Sequence, residues 1–178
     1  MKCFSILILL NIFYLNNANG KIYYRFTKIE CGTSLKSASS FYCYLKAYRK
    51  NFPMINAGFN LTRPITDGKV YLRNFRLTGG GEYEKIFEYP KIEYCKIING
   101  ASSSPFLEAF ISYGETLNSN FRDFCKKSGM IWIANISFDD SMLLRMFPSG
   151  NYKTQYRLYD NDDSNILNLT YFARLIHK

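Results

Sequence analysis

The chain has a single histidine, His177, next to its C-terminal residue. That placement argues against any Ser-His or Cys-His nucleophile, because the base would have to come from a chain end. No Gly-x-Ser-x-Gly elbow, phosphate loop or dinucleotide fingerprint appears. Gly79-Gly80-Gly81 is followed by neither Lys-Ser/Thr nor a helix start and reads as a hairpin turn. No two cysteines stand as Cys-x-x-Cys, so zinc is a poor expectation and no metal or other cofactor is expected. Paired carboxylates need no histidine, which leaves Asp139-Asp140 as the last hydrolase candidate. Asp160-Asn161-Asp162-Asp163-Ser164-Asn165 lacks the glycine and closing glutamate of a calcium loop and reads as a solvated turn. The expectation is a protein that is not an enzyme.

Long apolar runs are also scarce. The one present, Cys3–Tyr14, follows Lys2 and precedes Ala18-Asn19-Gly20. A positive end, a short apolar stretch and small residues at a cleavage position make a secretory signal over residues 1–20. The run is short for a membrane span. Residues 21–178 are then read as one secreted, extracellular domain, ending in neither a retention signal nor a lipid-anchor tail. Cys3 leaves with the leader. Cys31, Cys43, Cys95 and Cys125 remain, an even set that reads as two disulfides with three possible pairings. Sequons at Asn60, Asn135 and Asn168 agree with a secretory route and mark a glycoprotein.

What is abundant is aromatic and basic. Fifteen Tyr and fifteen Phe favour strands over helices. Candidate strands are 22–31, 41–50, 56–63, 69–78, 82–98 (broken at Pro90), 130–138, 151–159 and 166–176, with turn residues between them. A glycosylated Asn faces solvent and a strand alternates with period two, so each sequon sets a phase. Asn60 turns Ala57, Phe59 and Leu61 inward; Asn135 does so for Trp132, Ala134 and Ile136; Asn168 for Leu167, Leu169, Tyr171, Ala173 and Leu175. Tyr152, Thr154, Tyr156 and Leu158 alternate with polar residues on their own. Ser104-Pro105 followed by Phe106, Leu107, Phe110, Ile111 and Leu117 reads as one helix over 105–121. The pattern is all-β: an antiparallel two-sheet sandwich with one inserted α-helix.

Net charge is +9 for the whole chain and one less without Lys2. The basic residues are scattered, with Arg63, Lys69, Arg73 and Arg76 the densest set. Outside the cell such charge suits a receptor, a glycan or an anionic membrane surface; no nucleic-acid motif is present and no nucleic-acid partner is expected.

Phe26-Thr27-Lys28-Ile29-Glu30-Cys31, Cys43-Tyr44-Leu45-Lys46 with Arg49, Leu61 with Pro64 and Val70, Ile92-Glu93-Tyr94-Cys95-Lys96, Asn99-Gly100, Ser104-Pro105-Phe106-Leu107, Ser119-Asn120 ahead of Cys125, and Pro148-Ser149-Gly150-Asn151-Tyr152 occur in that order. The series resembles the insect family of secreted proteins carrying the DUF1091 (DM8) domain, which includes the chemosensory B proteins of flies. That family is similar to the ganglioside-activator and ML lipid-recognition sandwiches. This sequence departs from it at Glu93, where Asp is usual, and at Cys125-Lys126-Lys127, where Cys-Pro-Tyr is usual. The resemblance implies a secreted, lipid-binding sandwich, some members serving pheromone detection. Of the three pairings, Cys31–Cys43 and Cys95–Cys125 are the local ones a meander favours. The expected function is non-enzymatic carriage or presentation of a lipid, hydrocarbon or other apolar semiochemical. Phe59, Leu61, Phe106, Phe110, Trp132, Ile136, Met142, Tyr152, Tyr156 and Leu169 would line the pocket. The rival expectation is an extracellular interaction module that binds a receptor or glycan through its basic surface.

Overall fold

A computed structural model describes residues 21–34, 36–47, 52–99, 116–139 and 145–178. Among these residues nine strands follow one another: β1 (Ile22–Thr33), β2 (Ala38–Ala47), β3 (Pro53–Leu61), β4 (Lys69–Leu77), β5 (Tyr83–Glu93), β6 (Gly129–Ile136), β7 (Phe138–Asp139), β8 (Gly150–Tyr159) and β9 (Asn165–His177). All pairings are antiparallel. Six strands form one sheet in the order β5-β4-β8-β9-β1-β7, and β2-β3-β6 form the other. The fold is the expected all-β sandwich.

Alternation explains most of it. Ala57, Phe59 and Leu61 are buried, while Asn60 between them points away. On β9, Leu169, Tyr171, Ala173 and Leu175 are buried and Asn168 is exposed. On β8, Tyr152, Thr154 and Leu158 are buried in the same phase.

Two segments differ from the sequence reading. The strand expected to run to residue 98 leaves the sheet at Glu93, and Tyr94–Ile98 is a short helix, α1. Pro90 and Lys91 sit in a bulge, where the register slips between Val70/Ile92 and Leu72/Tyr89 and Lys91 takes φ 43°. The Tyr94 N–H still donates to the Gly68 carbonyl at 3.0 Å, and the Asn99 N–H then closes a helical turn on the Cys95 carbonyl. The helix expected over 105–121 falls largely outside the described residues. Within the described residues Thr116 is helical but the segment from Leu117 on is not: Ser119 bridges Ile133 of β6, and Phe121–Cys125 is a separate 3-10 turn.

The interior divides into two buried clusters. One gathers Ile22, Tyr24, Phe26, Ile55, Ala57, Ile136, Tyr152, Leu169, Tyr171, Ala173 and Leu175. The other gathers Ala38, Phe59, Leu61, Ile65, Cys95, Phe124, Ile131, Leu158 and Ile166. Cys31 of β1 is bonded to Cys43 of β2, as expected, and because β1 and β2 lie in different sheets this disulfide joins the two sheets beside the first cluster. Cys95 of α1 is bonded to Cys125 of the 3-10 turn and closes the second cluster.

Candidate functional site

Between the two clusters lies a cavity of about 200 Å³ whose wall draws on both. The smaller sheet contributes Ile55, Ala57, Phe59, Ile131, Ile133 and Ile136; the larger contributes Val70, Ile92, Tyr156, Leu158, Leu169 and Tyr171. Leu117, Phe121 and Tyr94 border it from the segments between strands. Each cluster packs on its own disulfide, Cys31–Cys43 on one side and Cys95–Cys125 on the other.

The wall is apolar almost throughout, and among its side chains Tyr156 and Tyr171 carry hydroxyls. The hydroxyls of Tyr24, Tyr156, Tyr171 and Thr154 hydrogen-bond among themselves, and Asn74 Nδ2 donates to Thr154 Oγ1 at 2.8 Å. Burial pushes the Tyr156 and Tyr171 phenols upward; burial, then the neighbouring Tyr171, does the same to Tyr24. All three stay neutral in the folded protein at ordinary pH. Tyr156 and Tyr171 connect this hydroxyl group to the wall of the cavity. The geometry suits a mainly apolar molecule with one hydrogen-bonding end.

Of the residues expected to line a pocket, Phe59, Ile136, Tyr156 and Leu169 stand on the wall. Leu61 packs in the second cluster. Tyr152 packs in the first, its hydroxyl donating to the Pro148 carbonyl at 2.5 Å, so it has no free donor for a ligand. Phe106, Phe110 and Met142 lie outside the described residues.

Trp132 also borders the cavity as expected, but its phase differs from the sequence reading: it pairs in register with Gly58 while Ile131 and Ile133 pair with the inward Phe59 and Ala57. Its side chain therefore belongs to the outer face, and it enters neither cluster. The cause is a bulge: β6 uses one more residue than β3 between the Ile55/Ile136 and Ala57/Ile133 pairs, with Asn135 at φ 54°. Asn tolerates that left-handed backbone. The slip returns Ile136 to the inner face but reverses Trp132 and Ala134. Ile55, Ile131, Ile133 and Tyr171 were missed as wall residues, although the Asn168 phase had already turned Tyr171 inward.

The polar turn at 160–165 is also not simply solvated. Asp160 is fully buried, accepting from Ser37 Oγ at 2.6 Å, from the Asn161 N–H at 2.7 Å and from Arg63 at 2.7 Å. Asp163 pairs with Lys69 and Lys91, and those ammonium groups hold its carboxyl below the usual range. The basic set seen in the sequence is thus mostly engaged: Arg63 with Asp160, Lys69 with Asp163, Arg73 with Glu88, and Arg76 with the Ser149 carbonyl.

A different basic surface emerges from the fold. Register puts Arg25, Lys28, Arg73, Lys85, Lys153, Arg157 and Arg174 on the outer face of the larger sheet, against Glu30 and Glu88. Aromatic rings lie between them. Lys153 sits over Phe75, Tyr83 and Phe172, and Arg73 and Arg157 over Tyr71. Lys85, then the Tyr71 hydroxyl, hold the Glu88 carboxyl down at about 2.

Among the described residues no cluster of His, Cys, Asp and Glu could hold a metal, and no helix is long and apolar enough to cross a membrane. Asp140 lies outside them. No family model and no curated protein matches the chain, so membership of the DUF1091 family is not shown. Among solved structures, the chain is similar to chicken MD-1, crystallised in complex with lipid IVa. The two share 14% identity over 88% of this chain and 90% of that one, at a TM-score of 0.36. A likeness that distant passes neither ligand nor function to this chain.

Proposed function

We propose that this protein binds a small, mainly apolar molecule between its sheets and carries or presents it outside the cell without transforming it. The cavity is the observation that supports the reading. At about 200 Å³ it exceeds the roughly 150 Å³ engineered apolar cavity that stays dry and takes benzene. It suits one small apolar molecule or a stretch of one acyl chain, including a lipid, hydrocarbon or other apolar semiochemical. The Tyr156 and Tyr171 hydroxyls already bond within their own group, and a ligand ending in an alcohol, ester or carbonyl can extend that group where a plain alkane cannot, a gain of about 0.5–1.5 kcal/mol for one net hydrogen bond.

The test is thermal unfolding of ligand-stripped protein with an alcohol, a methyl ester and an alkane of equal carbon number. A ligand bound only by the native state raises the transition by mass action. The alcohol and ester should raise it more than the alkane, and Tyr156→Phe should narrow that difference. No shift with any of the three would refute the reading.

The basic outer face favours a second role compatible with the first, contact with an anionic receptor, glycan or membrane surface during loading or delivery. Counter-ion release makes such binding weaken with salt. Retention on anionic vesicles or heparin should fall steeply with ionic strength and with Lys153→Glu/Arg157→Glu. Retention unaffected by either would remove this role.

A further inference from the structure

We infer that the outer face of the three-stranded sheet is the seat of an N-linked glycan on Asn60, whose first sugar packs on Tyr42 and Trp132. Asn60 opens the sequon Asn60-Leu61-Thr62 on the central strand of that sheet. Leu61 is 2% exposed and faces the core, so Asn60 faces outward. Gly58 shares this face. Directly opposite Gly58 stand Tyr42 on β2 and Trp132 on β6, and opposite Asn60 stands Met130. Asn60 is therefore flanked diagonally by two aromatic residues, at the roughly 7–8 Å that long side chains bridge.

The face is apolar out of proportion to its size. Tyr42, Tyr44 and Met130 are three of the six large hydrophobic side chains exposed among the described residues, and the Tyr42 and Tyr44 rings lie 6.0 Å apart. Single exposed apolar residues need no explanation; a group around one attachment point does. Gly58 contributes by what it lacks. A Cβ there would lie 2.7 Å from the Tyr42 ring, so the missing side chain lets that ring lie down on the strand.

The amide is already aimed. Asn60 Nδ2 donates one N–H to Ser39 Oγ at 2.8 Å. Glycosylation replaces one of the two amide N–H groups, and the one that remains can keep a bond of this kind. The C–H-bearing face of a pyranose carries slight positive charge and suits the negative face of an aromatic ring. The other sequons lack this setting: Asn168 is paired with Arg157 and Gly32, and Asn135 sits in the bulge. A protein partner docking here would have to displace a sugar rooted in the middle of its footprint. The occupant is therefore the glycan, and the inference stands apart from the cavity reading.

Trp132 is the only tryptophan, so its fluorescence reports on this face, and because it also borders the cavity the protein is stripped of ligand first. The experiment uses ligand-stripped protein secreted from insect cells and carrying Ser137→Ala and Thr170→Ala, which leave Asn60 as the sole acceptor among the three sequons. Peptide mapping should find Asn60 occupied. Acrylamide quenching should stay low in the intact form and in a form trimmed to one sugar, and rise about twofold once the whole glycan is removed from the folded protein, as expected for an uncovered aromatic face. An unoccupied Asn60, or equal quenching in all three forms, overturns the inference. Dimerisation of the intact form through this face would overturn it in favour of a second copy as occupant.

Discussion

Ile133→Phe is the sharpest probe of whether the space between the clusters is real. Ile133 is half-buried on β6, faces Ala57 in register and borders the cavity. Phenylalanine adds three carbons, and a buried methylene is worth about 0.8 kcal/mol, so filling vacant space should stabilise the ligand-free protein by about 2 kcal/mol. For a chain of this size that is a rise of about 4–8 °C in the melting temperature. In a filled core the same change would overpack and cost about 1–3 kcal/mol. The sign therefore decides. The assay is thermal and urea unfolding of ligand-stripped wild type and variant, each with and without a medium-chain alcohol. The variant should melt higher without ligand and gain less from it. A variant that is destabilised and takes up the alcohol like wild type would refute the reasoning.

The buried tyrosines give a pH signature. Burial raises the Tyr24, Tyr156 and Tyr171 phenols in the folded state, so their contribution is complete below the ordinary tyrosine range near pH 10 and is lost as pH rises beyond it. Phenolate absorbance during base titration should show a late group of tyrosines ionising together with unfolding; smooth ionisation of all of them in the native protein would contradict this. Asp160→Ala strands Ser37, the Asn161 N–H and Arg63 together and should cost about 3 kcal/mol in urea unfolding, whereas Arg63→Ala, losing one half-exposed partner, should cost about 1 kcal/mol. Each disulfide closes a loop, of 12 residues for Cys31–Cys43 and 30 for Cys95–Cys125. Chain entropy then assigns about 3 and about 4 kcal/mol to their loss by paired serine substitution, again read by urea unfolding.

The strands were legible because their inward residues alternate and their ends carry turn residues, as along Tyr152–Leu158 and Leu169–Leu175. Two features hid from that logic. Periodicity assumes a constant phase, so the bulge at Asn135 reversed Trp132 and Ala134 without any mark in the apolar pattern. A short apolar run reads alike as strand or helical turn, so the sequence of Tyr94–Ile98 fits a strand as well as the helix it forms. The cavity itself could not be read. Its wall residues Ile131 and Leu158 are of the same kind as Leu61 and Ile166, which share their cluster and do not border the cavity. Only the long-range pairing distinguishes them. The same holds for the basic face: Lys28, Arg73, Lys153 and Arg174 are far apart in the chain and meet only through strand order.

Native mass spectrometry of the protein recovered from secreting cells, followed by solvent extraction of whatever accompanies it, addresses the central claim most directly. The account predicts a one-to-one adduct of single-chain size, extracted as a mainly apolar molecule with one oxygen-bearing end, and its absence from the Ile133→Phe variant. A bare protein that also takes up no alcohol, ester or alkane when these are supplied would contradict it.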